Sequence, residues 1–292
     1  MRIALTSIVF LCASSTSAVA ESLSFSDHGR AVRTITVDDA RALVAPASVT
    51  VAEPHESRPR TYLAIDATKL LDAAYGAGVW RKAEEILFTC RDGFQVPIPT
   101  ADFGHAPAFF AIGFPDGAPF HIANLKENEP DVELGPFYLV WTTPPSGQAV
   151  GGDEWPYQIV GADLIEFADR YPNIVPPPRS PAAVTRGFHA FVSYCLACHT
   201  LNGQGGAKAP ELNYPVNVTE YYRTDWLKRW IDDPTKIRFS TTMPALAPET
   251  PDRARTIDDL VAYLAAMRSA KRAPPPKTAP AASSFATPKP TP

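Results

Sequence analysis

Residues 195–199 read Cys-Leu-Ala-Cys-His, and no other feature restricts this 292-residue chain as tightly. Two thiols one helical turn apart, followed at once by His, serve three chemistries: half of a structural zinc site, a thiol–disulfide couple, or covalent attachment of haem c. A zinc site needs two more ligands nearby, and neither Cys nor His follows His199. A thiol–disulfide couple calls for a βαβ setting, whereas the flanks here read as helix and loop. Haem fits the spacing: Cys195 and Cys198 add to the two vinyl groups, and His199 reaches the iron from one side.

The flanks support that reading. In "SPAAVTRGFHAFVSYC", Ser180 is predicted to cap a helix with Pro181 at its first position. Gly187, Phe191 and Cys195 recur every four residues and so share one helical face. This stretch resembles the N-terminal helix of class I cytochromes c, in which a Gly, an aromatic and the first haem Cys keep the same spacing. The resemblance implies a close crossing with the last helix, "TIDDLVAYLAAMR", through Gly187, Phe191, Tyr263 and Leu264. It also implies that the Pro210 carbonyl orients His199, with Ala209 standing where that family usually has Gly.

The sixth iron ligand of an electron carrier is expected to be a thioether. Beyond the initiator the chain holds Met243 and Met267. Met243 lies in the Pro-flanked loop "STTMPAL", the usual axial-ligand context of the resembled family, whereas Met267 shares a helical face with apolar residues and suits a core. Between them "TEYYRTDWLKRWIDDPTKI" reads as one amphipathic helix ending before Pro234. The last helix is predicted to start at Thr256, with Asp259 closing a capping box.

The first half reads differently. "RTITVDDARALV", "ASVTVAEP", "EEILFTC", "FQVPIP" and "FYLVWTT" are short β-rich runs, and "DATKLLDAAYG" and "GADLIEFADRY" are helical. "CRDGFQVPIP" and "GPFYLVW" resemble, in shortened form, the molybdopterin-binding domain of the sulfite oxidase family. That resemblance makes Cys90 the one candidate molybdenum ligand. Arg91 adjoins it, His105 and His121 are the only further candidates, and the clustered Arg, His and Lys of catalytic members are missing. No molybdenum cofactor is therefore expected.

The fold expected is thus two domains: an N-terminal α+β or mainly β sulfite-oxidase-like domain and a C-terminal all-α cytochrome c fold. The expected boundaries are a signal peptide at 1–20 (Arg2, a short apolar run containing Cys12, then Ala18 and Ala20), a module at 21–175, a Pro-rich linker at 176–182, a haem domain at 183–270 and a tail at 271–292. The apolar run of the leader is too short to span a bilayer, and no later run is long and apolar enough, so the mature chain is expected in the periplasm. A net charge of −4 excludes a broad nucleic-acid surface. The expected function is single-electron transfer through one haem to and from a redox partner protein, with the first module docking a partner or ligand. Two alternatives share the same motif: a fused molybdenum oxidoreductase feeding its own haem, and a haem-based redox or ligand sensor.

Overall fold

The structure, a computed structural model, describes residues 21–143 and 154–274. The expected signal segment 1–20, with Cys12, and residues 275–292 of the expected tail lie outside the described residues. Short apolar runs separated by Gly, Pro and Asp turns build the first half. They form β1 (Ser22–Asp27), β2 (Arg30–Thr36), α1 (Val37–Leu43), β3 (Ala47–Glu53), β4 (Arg58–Asp66), α2 (Ala67–Tyr75), β5 (Glu85–Cys90) and β6 (Gln95–Pro99). After these come α3 (Asp102–His105), β7 (Ala108–Gly113), β8 (His121–Asn124), β9 (Glu129–Glu133), β10 (Tyr138–Trp141), β11 (Ile159–Ile165) and α4 (Phe167–Arg170). The last third forms α5 (Ala182–Tyr194), β12 (Thr200–Leu201), β13 (Gln204–Gly205), α6 (Val218–Tyr221), α7 (Thr224–Asp232) and α8 (Arg253–Ala266).

Two larger sheets result, ordered β2-β1-β11-β5-β6 and β10-β7-β4-β3, with small β8–β9 and β12–β13 ribbons. β1 runs parallel to β11; the other named pairs are antiparallel. Along β5 successive side chains point to opposite faces. Ile86, Phe88 and Cys90 enter a core shared with Tyr62, Ile65, Leu70 and Phe110, while Leu87 points the other way. Leu87 and Ile165 meet Tyr171, Ile174, Val184, Phe191 and Leu196 in a second core that extends to α8. The five-stranded sheet is therefore buried on both faces, one of them by the C-terminal helices.

This packing corrects the expected fold class. The C-terminal third is not a separate all-α cytochrome c fold; it carries the β12–β13 ribbon and a bridge between His199 and Ala209, and it shares both cores with the sheets. The chain forms one α+β body of several sheets. Backbone bonds cross the expected boundary directly: Gln95 N–H donates to the Ala197 carbonyl at 2.9 Å and Ala207 N–H to the Gly93 carbonyl at 2.7 Å. The physical reason is the apolar run "ILF" in β5, which needs cover on both sides.

Other local expectations also shift. "GADLI" is the strand β11, not a helix, because β1 and β5 flank it and pair with it on both edges. Ser180 does not cap α5; its hydroxyl donates to the Pro177 carbonyl at 2.7 Å, and the cap position is Pro181. The expected helix over 219–233 breaks into α6 and α7 at Tyr222–Arg223. α8 starts at Arg253, three residues early, and Asp259 pairs with Arg186 (2.6 Å) instead of closing a box. Among the described residues no helix is long and apolar enough to cross a membrane.

Three buried amides fix the end of α8. Asn217 donates to the Leu264 carbonyl (2.8 Å), Asn213 to Met267 (3.0 Å) and Asn202 to Ala270 (3.0 Å). These carbonyls lie at a helix end, where intrahelical donors run out.

One buried acid makes the fold pH-sensitive. Burial, with the charges of Glu84 and Glu166, pushes the Glu85 carboxyl up to about 7, and its Oε2 has no hydrogen-bond partner. A carboxyl with a raised native pKa favours folding below its unfolded value of 4.5 and loses that advantage as pH rises towards 7. Glu85→Gln should therefore stabilise the protein by about 1–3 kcal/mol at alkaline pH and leave it unchanged in acid. Urea midpoints at the two extremes check this; equal gains at both would contradict the burial of the charge.

Candidate functional site

α5 ends at Tyr194, and the chain turns tightly through the Cys-Leu-Ala-Cys-His pentad. Cys195 and Leu196 N–H both donate to the Phe191 carbonyl at 2.9 Å, while Cys198 (3.2 Å) and His199 (2.9 Å) N–H donate to the Cys195 carbonyl. The Gly-rich loop closes over this turn: Gly206 N–H donates to Leu196 at 2.8 Å and Ala209 N–H to Cys198 at 2.9 Å. A Cβ on Gly206 would overlap the Ala197 carbonyl, so only Gly lets the two backbones meet there.

His199 Nδ1 lies 2.8 Å from the Pro210 carbonyl oxygen. A carbonyl only accepts, so Nδ1 carries the proton and Nε2 keeps its lone pair. Burial lowers the pKa of His199 against the opposing pull of the Pro210 carbonyl and Glu211, which favours the neutral, ligating form. Orientation of a ligand His through its other nitrogen is a general device of metal sites.

A cavity of about 330 Å³ opens between this segment and the ends of the strands. Tyr194, Cys195, Ile231, Leu260 and the loop from Met243 to Glu249 form one side. Met243 is held there by Trp230, whose Nε1–H donates to the thioether sulfur at 2.9 Å. Cys195 and Met243 thus share one cavity; Cys198 and His199 are not part of its lining. Met267 is fully buried in the second core.

The opposite side is polar, and of its residues the sequence singled out only Cys90. His55, Cys90, Asp92, Phe94, Asn124, Lys126, Glu127, Trp155, Tyr157 and Lys208 line it. Lys208, contributed by the loop after the pentad, reaches Glu127 at 2.7 Å and Asp92 at 3.1 Å. Burial opposes its charge, but Glu127, Tyr157 and Asp92 outweigh that and hold Lys208 protonated. Behind the wall Glu53 accepts from His55 Nδ1 (2.8 Å), His55 N–H (3.0 Å), Tyr62 (2.7 Å) and Tyr138 (2.9 Å). Burial raises the Glu53 pKa, yet these donors and His55 overcome it, and the net shift is downward. The only sequence signal was a polar pair, Glu53 and His55, at the end of an alternating strand.

Cys90 is buried, and burial with the charge of Asp92 pushes its thiol well up. Its expected companions do not gather around it. Arg91 reaches towards Glu21 and Glu133 at 3.5 and 3.4 Å, His121 pairs with Asp131 at 3.0 Å, and His105 ends α3; none lines the cavity. Among the described residues no group of three or more His, Cys, Asp and Glu could hold a metal ion. No protein-family model and no curated protein matches the chain. The two family resemblances read from sequence are accordingly corrected. Neither a class I cytochrome c domain nor a sulfite-oxidase-like module is upheld, because the pieces belong to one α+β body whose Cys90 lacks the ligand cluster.

Proposed function

We propose that the chain carries one haem bonded through Cys195 and Cys198 and serves as a single-electron carrier of the periplasm, exchanging electrons with a redox partner protein. The observation that carries this reading is the pairing of the Cys-Leu-Ala-Cys-His turn with a His199 imidazole fixed on the Pro210 carbonyl. A bare metal ion would need three or more clustered protein ligands, whereas a porphyrin brings four nitrogens of its own and asks the protein for only two.

His199 would hold the iron through Nε2, and Met243 would supply the second ligand through its thioether sulfur. When bound, haem supplies an iron centre that cycles between the ferric and ferrous states. The protein supplies the rest: two thioether anchors, an imidazole locked in one tautomer, and a thioether held by Trp230. Ile231, Leu246 and Leu260 make that side of the cavity apolar. A soft thioether favours the ferrous state and raises the potential.

Met243→Ala tests the assignment. The variant should keep its covalent pigment, show a lower midpoint potential, and bind carbon monoxide stoichiometrically where the parent binds none. An unchanged ferric spectrum and potential would refute Met243 as the ligand.

A further inference from the structure

We propose that the polar half of the cavity is a binding site for a small neutral hydroxyaromatic, a phenol or hydroquinone, whose hydroxyl donates to His55 Nε2. The inference goes beyond electron carriage and does not depend on haem, since its groups come from the opposite wall. His55 is buried yet lines the cavity. Its Nδ1 faces Glu53 at 2.8 Å, and an ionised carboxylate can only accept, so Nδ1 bears the proton and Nε2 is left as the basic nitrogen.

A fully desolvated carboxylate taking four donors is costly where an apolar cluster would fold as well. Such a pair makes sense where the imidazole must present one fixed tautomer. Tyr138 and Tyr62 complete the frame by donating to the same carboxylate at 2.9 and 2.7 Å, so the ring cannot turn over without breaking the set.

The rest of the wall selects the ligand class. Phe94, Trp155 and Tyr157 offer aromatic surface, and Asn124 donates to the Tyr157 hydroxyl at 3.3 Å beside His55. The Tyr157 ring meets His55 edge-on, with centroids 5.6 Å apart. On this wall two carboxylates (Asp92, Glu127) balance two ammonium groups (Lys126, Lys208), which leaves no excess charge to draw an anion. A cation is disfavoured too, because Lys208 already sits between Glu127 and Asp92 and over the Phe94 and Tyr157 rings, at 5.9 and 5.7 Å. A purely apolar ligand would offer His55 Nε2 no donor, whereas the Tyr157 hydroxyl already accepts from Asn124. The whole cavity, shared with Cys195 and Met243, holds about 330 Å³, which limits a ligand of its polar half to a single aromatic ring.

The test is calorimetric titration of hydroquinone into the full chain purified from a haem-attaching host, with benzoate and benzylammonium as charged probes. Hydroquinone should bind once per chain with a sub-millimolar Kd, at least about tenfold tighter than either charged probe. His55→Gln should weaken it about tenfold or more. In the unaltered, 15N-labelled protein the His55 Nε2 resonance should move along the same isotherm, which reads the contact even if the variant fails to fold. No saturable heat up to about 10 mM hydroquinone, an unmoved His55 resonance, undiminished binding by a folded His55→Gln protein, or charged probes binding as tightly as hydroquinone would each overturn the proposal.

Discussion

Gly187→Ala is expected to destabilise the protein by about 2–4 kcal/mol, although Ala is the better helix former by about 1 kcal/mol. A Cβ at this position would overlap the Asp259 carbonyl and stand 2.8 Å from Tyr263 Cβ, both on α8. The obstacle is helix backbone, which cannot rotate aside as a side chain can. Relief would require α5 and α8 to move apart, and their other contacts would go with them. Phe191 and Tyr263 pack with ring centroids 5.4 Å apart, and Arg186 bonds Asp259 at 2.6 Å. The Tyr263 hydroxyl also donates to the Ile174 carbonyl at 2.6 Å, so the strain would spread to the segment leading into α5. Equilibrium urea unfolding measures the loss; a variant as stable as the parent would show that the helices do not cross at this residue.

Removing both pentad thiols, as Cys195→Ser with Cys198→Ser, should abolish covalent pigment altogether, the largest functional effect anticipated here. Cys90 remains in that variant and faces the same cavity as Cys195. It should not substitute, because burial holds it as an unreactive thiol and the vinyl addition needs two sulfurs at pentad spacing. Fold should survive, since neither sulfur belongs to the fully buried core: both Cys195 and Cys198 are half-buried. Pigment surviving denaturation in the double variant would assign attachment elsewhere.

How much of this could be read from the chain follows from how local each feature is. The pentad, the helix before it and the runs that became β3, β5, β6 and α2 are set by residues close in sequence, through spacing and turn chemistry. β11 is not legible in the sequence because "GADLIEFADRY" has neither alternation nor β-branched enrichment, and its strand state comes from partners β1 and β5, remote in sequence. The merging of the two expected domains was hidden for a related reason. Leu87 and Ile165 look like ordinary strand residues, and only the fold shows that they face α5 and α8.

The candidate site divides in the same way. Cys195, Cys198, His199, Pro210 and Met243 stand in recognisable local contexts. The Glu53–Tyr138 bond, the Lys208 bridge to Glu127 and Asp92, and the buried Asn202, Asn213 and Asn217 amides act between residues far apart in sequence, 85 residues for Glu53 and Tyr138, beyond any motif. Their residue types are unremarkable singly, and it is burial that gives them meaning.

The most direct measurement is the mass of the intact chain from a haem-attaching host, taken after denaturation and acid–acetone extraction. One covalent haem per chain, absent when both thiols are removed, is the result predicted. A colourless polypeptide of unmodified mass, with all pigment in the organic phase or none at all, would contradict the account at its root.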